Sequence, residues 1–214
     1  RSLDVSGNRV TGVTCYNGET LEADLYVSAL PHDILLTTLL PENLREDPFF
    51  ARVAGLGWAP IVNVHLWYDR PIVDFDFAAF LNSPIQWVFN RSRILGLDED
   101  GDGDGQHLCI SLSGAWDYID LSKEELFERF AREFRVLFPE AREANVKDYL
   151  VVKQRHATCS AEPGAQRQRL PQRTPLENFY LAGDWTLTGW PATMESAVRS
   201  GVFCAEAIEQ NYRR

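Results

Sequence analysis

Residues 178–201 constrain this chain more than any other stretch. Asn178–Ala182 is apolar after its first residue, which predicts a short buried strand, and Gly183–Asp184 then supplies a tight turn. From about Ala192 to Gln210 the period changes. Met194, Ala197, Val198, Gly201, Val202, Ala205 and Ile208 recur at three- and four-residue steps, so a helix carries them as one apolar stripe. A strand, a Gly-Asp turn and a helix form a ligand crevice in open α/β folds, because the strand's C-terminal edge and the helix N-terminus face the same space. Unpaired N–H groups and the positive dipole end of the helix favour an anion or a carbonyl oxygen there. Asp184 would stand at the strand end, placed to accept hydrogen bonds from hydroxyl groups. An ordinary βα unit, with Asp184 only capping the turn, is the alternative that pattern leaves open.

The preceding sequence reads as two kinds of structure. Residues 1–30 suggest a three-stranded meander: Leu3–Val5, a turn at Ser6–Gly7–Asn8, Arg9–Cys15, an Asn17–Gly18 hairpin turn and Thr20–Ala23. A further strand, Asp24–Ala29, ends at Leu30–Pro31. Pro31 opens a short helix to Leu40, Pro41 stops it, and Glu42–Asp47 reads as a loose acidic crossing. From Trp58 to Asp69, Ile61, Asn63, His65 and Trp67 alternate with Val62, Val64, Leu66 and Tyr68. That alternation suits a sheet with one side on a core and one side lining a cavity. It makes His65 and Trp67 candidates for substrate contact, with a purely structural histidine as the alternative.

Pro84–Asn90, His107–Ala115 and Asn145–Ala157 read as strands. Ser122–Lys123–Glu124–Glu125 is a capping box. The helix it starts bears Leu126, Phe127, Phe130, Phe134, Leu137 and Phe138 on one broad face, either as core or as the wall of a lipid tunnel. Asp98–Gly105 alternates acids like a calcium loop, but Cys109 stands where the bidentate Glu would be needed, so a solvated hairpin loop is the better reading.

Composition excludes several classes. A formal charge of −10 and a pI near 4.9 disfavour nucleic acid, whose phosphates would be repelled. No apolar run approaches the ~20 residues of a membrane-spanning helix. The four cysteines are far apart without metal-like spacing, which suggests reduced thiols in a cytoplasmic protein and no metal site. A hydrophobic share of 45% supports a real core. No G-x-G-x-x-G occurs, and a dinucleotide fold of the glycine type needs that turn for its pyrophosphate. The chain is therefore expected to be the C-terminal part of a longer protein, with a missing N-terminal segment as its partner.

The wording of the leading stretch carries further information. Ala182–Gly183–Asp184 and Met194–Glu195–Ser196–Ala197–Val198–Arg199–Ser200–Gly201 closely resemble the C-terminal flavin motif of the FAD-dependent amine oxidase and phytoene desaturase superfamily. Asp184 to Thr193 looks most like its squalene-associated desaturases, the hydroxysqualene dehydroxylase group. The meander, followed by Ala29 and Pro31, also resembles the superfamily. This implies a mixed α/β and α+β fold: the C-terminal portion of a Rossmann-like FAD-binding domain (1–44 and 171–214) with an inserted mixed-sheet substrate domain (45–170). It implies non-covalent FAD, with Ala29, Pro31, Gly183, Asp184, Thr193, Met194, Glu195 and Ala197 as cofactor-binding residues. Asp184 would serve the ribityl or phosphate region, and the N–H groups near Thr193, Met194 and Glu195 the flavin pyrimidine oxygen.

His65, Trp67 and Trp190 are the substrate candidates, and the resemblance names no catalytic acid or base. The implied function is FAD-dependent oxidoreduction of a hydrophobic isoprenoid, by hydroxysqualene dehydroxylation or carotenoid-type desaturation, with peripheral membrane contact as a corollary. An amine oxidase is the nearest alternative, but Thr193 stands where those enzymes usually place a Tyr. A non-catalytic lipid- or partner-binding fragment is the alternative from another class.

Overall fold

The computed structural model describes residues 1–97 and 105–212, so most of the acidic stretch singled out above lies outside the described residues. Among the described residues there are ten strands: β1 (Ser2–Ser6), β2 (Arg9–Thr14), β3 (Thr20–Leu21), β4 (Tyr26–Ser28), β5 (Trp58–Tyr68), β6 (Phe77–Ala79), β7 (Trp87–Asn90), β8 (Gln106–Ser113), β9 (Val146–Cys159) and β10 (Phe179–Leu181). The mixed α/β architecture agrees with the expected fold class. The chain divides into two compact units, 1–57 with 158–214, and 58–157. The sequence expectation had placed the crossings near 44 and 170.

In the first unit β1, β2 and β3 form the antiparallel meander, turning at Gly7 (φ 60°) and Gly18 (φ 86°). The left-handed region costs glycine little, which is why those turns carry it. β4 and β10 pair in parallel, with Tyr26 opposite Phe179 and Ser28 opposite Leu181. Tyr26, Phe179 and Leu181 join Leu35, Leu40, Phe50 and Trp185 in one buried core. Asn178 connects this pair to the meander: its Oδ1 accepts from Val10 N at 2.8 Å, and its Nδ2 donates to Val10 O at 2.9 Å and Asp24 O at 3.3 Å. The helix after Pro31 begins at His32 and widens into a π turn over Leu35–Leu39, stopping before Pro41.

The loose crossing expected at Glu42–Asp47 is instead structured. Short helices span Glu42–Arg45 and Pro48–Ala51; Asp47 caps the second by accepting from Phe49 N at 2.8 Å, and Phe50 anchors it in the core.

A second difference concerns the last helix, Met194–Tyr212. Its apolar stripe is largely solvent-exposed: Met194 is 89% exposed, Val198 66% and Val202 53%. The buried face is Ser196, Ser200 and Cys204, continued by Ala207 and Ile208 against Tyr180 and Ala182. Hydrophobic period locates the helix correctly but points to the wrong face, because the inward serines serve the turn before the helix rather than an apolar core.

In the second unit the sheet order is β6-β7-β8-β5-β9. Val62, Val64, Leu66 and Tyr68 of β5 and Leu108, Ile110 and Leu112 of β8 face a core. The Lys123–Leu137 helix closes that core with Leu126, Phe130 and Phe134, each fully buried, so its aromatic stripe serves packing rather than a lipid tunnel. The capping box is present in both directions, with Ser122 N donating to Glu125 Oε2 at 2.8 Å and Glu125 N to Ser122 Oγ at 3.1 Å.

Candidate functional site

Each unit carries candidate residues. In the first, two loops leave the C-terminal ends of the parallel strands. After β4 come Ala29, Leu30 and Pro31, all exposed, and the first turn of helix with His32 and Asp33. After β10 come Ala182, Gly183 and Asp184. Gly183 adopts φ 130°, and a Cβ there would lie 2.7 Å from Trp185 Nε1. Only glycine permits this turn. Trp185 Nε1 in turn donates to Leu30 O at 2.9 Å, which ties the two loops together.

The serines of the last helix hold the turn from the other side. Ser200 Oγ accepts from Gly183 N at 2.7 Å, and Ser196 Oγ donates to Asp184 O at 2.9 Å and meets Thr188 Oγ1 at 2.6 Å. Thr193 Oγ1 accepts from Ser196 N at 3.4 Å, as a helix cap does. Met194 and Glu195 therefore occupy the first turn, whose N–H groups find no acceptor within the helix. Thr193, Met194, Glu195 and Ala197 are all exposed. Trp190 lies under the Arg199 guanidinium at 4.3 Å, and Arg199 also pairs with Glu195 at 2.7 Å.

One residue that sequence reasoning left without a role fastens this loop. Arg169 is buried, and its Nη1 donates to Trp190 O at 2.7 Å and more loosely to Asp184 O and Thr186 O. An arginine in a polar, Gln-rich stretch reads as surface; only the fold turns it inward.

The cofactor expected here is FAD, and two observations bear on the fit. Ser28 Oγ at the end of β4 and Asp33 Oδ1 in the helix turn that follows it are sealed from solvent and lack a hydrogen-bond partner. The exposed helix start, the Gly183 turn and these unmet acceptors form a donor-and-acceptor set that suits a polar ligand bearing both carbonyl and hydroxyl groups.

In the second unit the sheet face opposite the core is also organised. His65, Trp67, Asn63 and Ile61 point there from β5, as the alternation predicts. Register places His65 opposite Cys109, Trp67 opposite His107, and Phe89 opposite Cys109 and Phe77. His65 Nδ1 and His107 Nε2 are 2.9 Å apart, and His65 Nε2 lies 3.7 Å from Cys109 Sγ. One imidazole donates and the other accepts across this gap, the roles depending on the tautomer. Burial, then the neighbouring His65 and the Arg91 charge, lower the pKa of His107 to about 4. Burial, then Arg91, lowers that of His65 as well. Cys109 is pushed up to about 11, chiefly by burial, so it is no thiolate nucleophile.

The Trp67 ring stacks on His107 at 4.1 Å, and Trp87 stacks on Phe89 at 6.0 Å. Phe77, Trp87, Phe89, Ser111 and Ser113 line an open depression of about 370 Å³. Among the described residues no cluster of three or more His, Cys, Asp or Glu side chains could hold a metal ion, and no helix is long and apolar enough to cross a membrane.

Comparison with known proteins gives these features a context. Residues 1–209 match the family model described as flavin containing amine oxidoreductase. The chain belongs to this family. Within it, the chain is 36% identical over 212 residues to the 15-cis-phytoene desaturase of Synechococcus elongatus, covering 95% of this chain and 44% of that protein. It is 29% identical to the zeta-carotene desaturase of Synechocystis sp., covering 96% and 46%. Among solved structures, a putrescine oxidase redesigned in its cofactor binding superposes with a TM-score of 0.69 at 16% identity, covering 98% of this chain and 48% of that one. That likeness concerns the fold. The chain thus spans less than half the length of these desaturases. Family membership agrees with the expected flavin cofactor. The relatives are named for phytoene and zeta-carotene, the carotenoid side of the expectation rather than the hydroxysqualene side.

Proposed function

We propose that this chain is the C-terminal part of an FAD-dependent desaturase acting on a hydrophobic isoprenoid of the carotenoid type. The observation that carries the reading is the Gly183–Asp184 turn joined to the start of the last helix, with its exposed first residues Met194 and Glu195, in a member of the flavin-containing family. A bound flavin supplies the electron-pair acceptor needed to take two hydrogens from adjacent carbons. This chain's residues would orient it: Gly183, Asp184, Ala29 and Pro31 along the strand ends, and Thr193, Met194, Glu195 and Ala197 at the helix start. The helix dipole would favour the negative charge that gathers on the pyrimidine side on reduction.

The aromatic sheet face, with Trp67, His65, Phe77, Trp87 and Phe89, would bear the substrate, since flat apolar rings suit a long unsaturated hydrocarbon. The pyrophosphate turn absent from this sequence would come from a further segment, for which the exposed Met194, Val198 and Val202 stripe is the natural seat. This chain by itself would then be inactive. Peripheral membrane contact belongs to the same proposal, supported by the exposed Ile94, Leu95 and Leu97 after β7.

The test uses the full-length protein. Purified without added cofactor, it is expected to show flavin absorption released as free FAD on denaturation, and to convert phytoene in liposomes to a more conjugated product. Turnover of hydroxysqualene instead would replace the desaturase assignment. A colourless protein that takes up no FAD would overturn the flavoprotein reading altogether.

A further inference from the structure

Asp33 has no role in the sequence expectations, yet its surroundings are unusual. It sits in the first turn of the helix that follows β4, and its Oδ1 is shut off from water with no donor in reach. A buried carboxylate oxygen left without a hydrogen bond is costly, and such groups are rare unless a ligand or another segment completes them. Ser28 Oγ, at the end of the same strand, is unmet in the same way.

Charge converges on this point from three elements. The Cys159 thiol is raised to about 11, first by burial, then by the Asp184 carboxylate, with Asp33 adding to the rise and Arg169 opposing it. The geometry agrees: His32, the neighbour of Asp33, reaches Cys159 Sγ at 3.5 Å, and Arg169 Nη1 reaches Asp184 O at 3.4 Å. Asp33 comes from the loop after β4 and Asp184 from the loop after β10, the two parallel strands whose C-terminal ends define the crevice. Arg169 does not satisfy Asp33, because its Nη1 is directed to the carbonyl oxygens of Trp190, Asp184 and Thr186. His32 beside it is also engaged: Nε2 meets Leu56 O at 3.1 Å and Nδ1 meets Cys159 Sγ at 3.5 Å.

We propose that Asp33 is a second carboxylate of the cofactor site, accepting a hydrogen bond from a donor of the bound flavin, a ribityl hydroxyl or the imide N–H, across the crevice from Asp184. The inference rests on the flavoprotein reading above and adds a contact to it.

The experiment compares full-length wild type, Asp33→Ala, Asp33→Asn and, as a control at the expected site, Asp184→Ala. FAD affinity is measured by fluorescence titration of the apoprotein, and thermal stability is measured with and without FAD. Asp33→Ala is expected to weaken FAD binding about ten- to a hundredfold, the loss of one charge-assisted hydrogen bond. It should leave the apoprotein's Tm unchanged or higher, because the unmet carboxylate has been removed. With N3-methyl FAD, the Asp33→Ala penalty vanishes if the donor is the imide and persists if it is a hydroxyl. Unchanged FAD affinity in both Asp33 variants overturns the proposal. So does an apoprotein Tm that falls in Asp33→Ala, which would mean that another part of the protein supplies the donor. A wild type that binds no FAD overturns the flavoprotein reading and this inference with it, whereas wild-type binding with indifferent Asp33 variants overturns this inference only.

Discussion

Asn178 offers the sharpest test of how the first unit is held together. Its amide stands where a neighbouring strand would stand for Val10, accepting from Val10 N at 2.8 Å and donating to Val10 O at 2.9 Å, and both residues are 2% exposed. In Asn178→Ala both Val10 groups lose their partner in a buried setting, at about 1–3 kcal/mol each. Allowing for relaxation, the expected loss is about 3 kcal/mol. Asn178→Asp is nearly isosteric and keeps the acceptor for Val10 N, but it turns an oxygen toward Val10 O and Asp24 O, where Asn178 Nδ2 donated. A buried carboxylate facing two carbonyl oxygens is worse than a small void, so Asn178→Asp should be the less stable variant at pH 7–8.

The order should then move with pH. Burial raises the introduced carboxyl's folded pKa above its unfolded value of about 3.9, so its penalty is full above the folded value and shrinks as pH falls through it. Once protonated, the side chain regains a donor for Val10 O. The assays are urea unfolding across pH and hydrogen exchange at the Val10 amide in the full-length protein. If Asn178→Asp matches or exceeds Asn178→Ala in stability at neutral pH, or shows no relief on acidification, the argument fails.

The other predictions concern the turn, the imidazole pair and the second core. Gly183→Ala places a Cβ against the Trp185 ring at φ 130°, so about 1–3 kcal/mol of strain and a disturbed Trp185–Leu30 hydrogen bond are expected, read by near-UV circular dichroism and Tm; an unperturbed spectrum contradicts this. His107 has a folded pKa of about 4 against 6.5, so the unfolded chain binds the extra proton first. Stability linked to it is complete above about pH 6.5 and is lost as pH falls toward about 4; Tm against pH should flatten in His107→Gln, and an unchanged slope counts against the pair. Phe130→Ala, at a fully buried position, should cost about 3–5 kcal/mol by chemical denaturation, and a loss under about 1 kcal/mol would mean that the helix is not packed as described.

The strand, turn and helix from Phe179 onward were legible because each depends on local chemistry: an apolar run, a glycine that only a special φ requires, and a change of period. The open sheet face was legible too, since strict alternation sends His65 and Trp67 to one side whatever the partners are. The buried face of the last helix was not. Ser196 and Ser200 are polar because they bind the turn at Asp184 and Gly183, twelve and seventeen residues earlier in the chain, and periodicity sees only apolarity. Arg169, Asp33 and the Asn178–Val10 bond escaped for a related reason. Each depends on groups brought together by long-range folding, and a charged or amide side chain in a polar stretch carries no mark of being turned inward. The imidazole pair needed the register of β5 on β8, which alternation alone cannot fix.

The stitch where the second unit leaves and re-enters the first has a consequence for how such proteins diversify. Ser160 N donates to Gly57 O at 2.9 Å, closing the chain of the first unit just where residues 58–157 branch off. This backbone hydrogen bond thus acts as the hem of an insertion that lies between β4 and β10 in the chain, outside the pair itself. Loop-closure entropy grows only slowly with insertion length. An exchange or enlargement of the second unit's sheet would leave the β4–β10 pair as it is, and its record should be sequence drift that begins and ends abruptly at this seam.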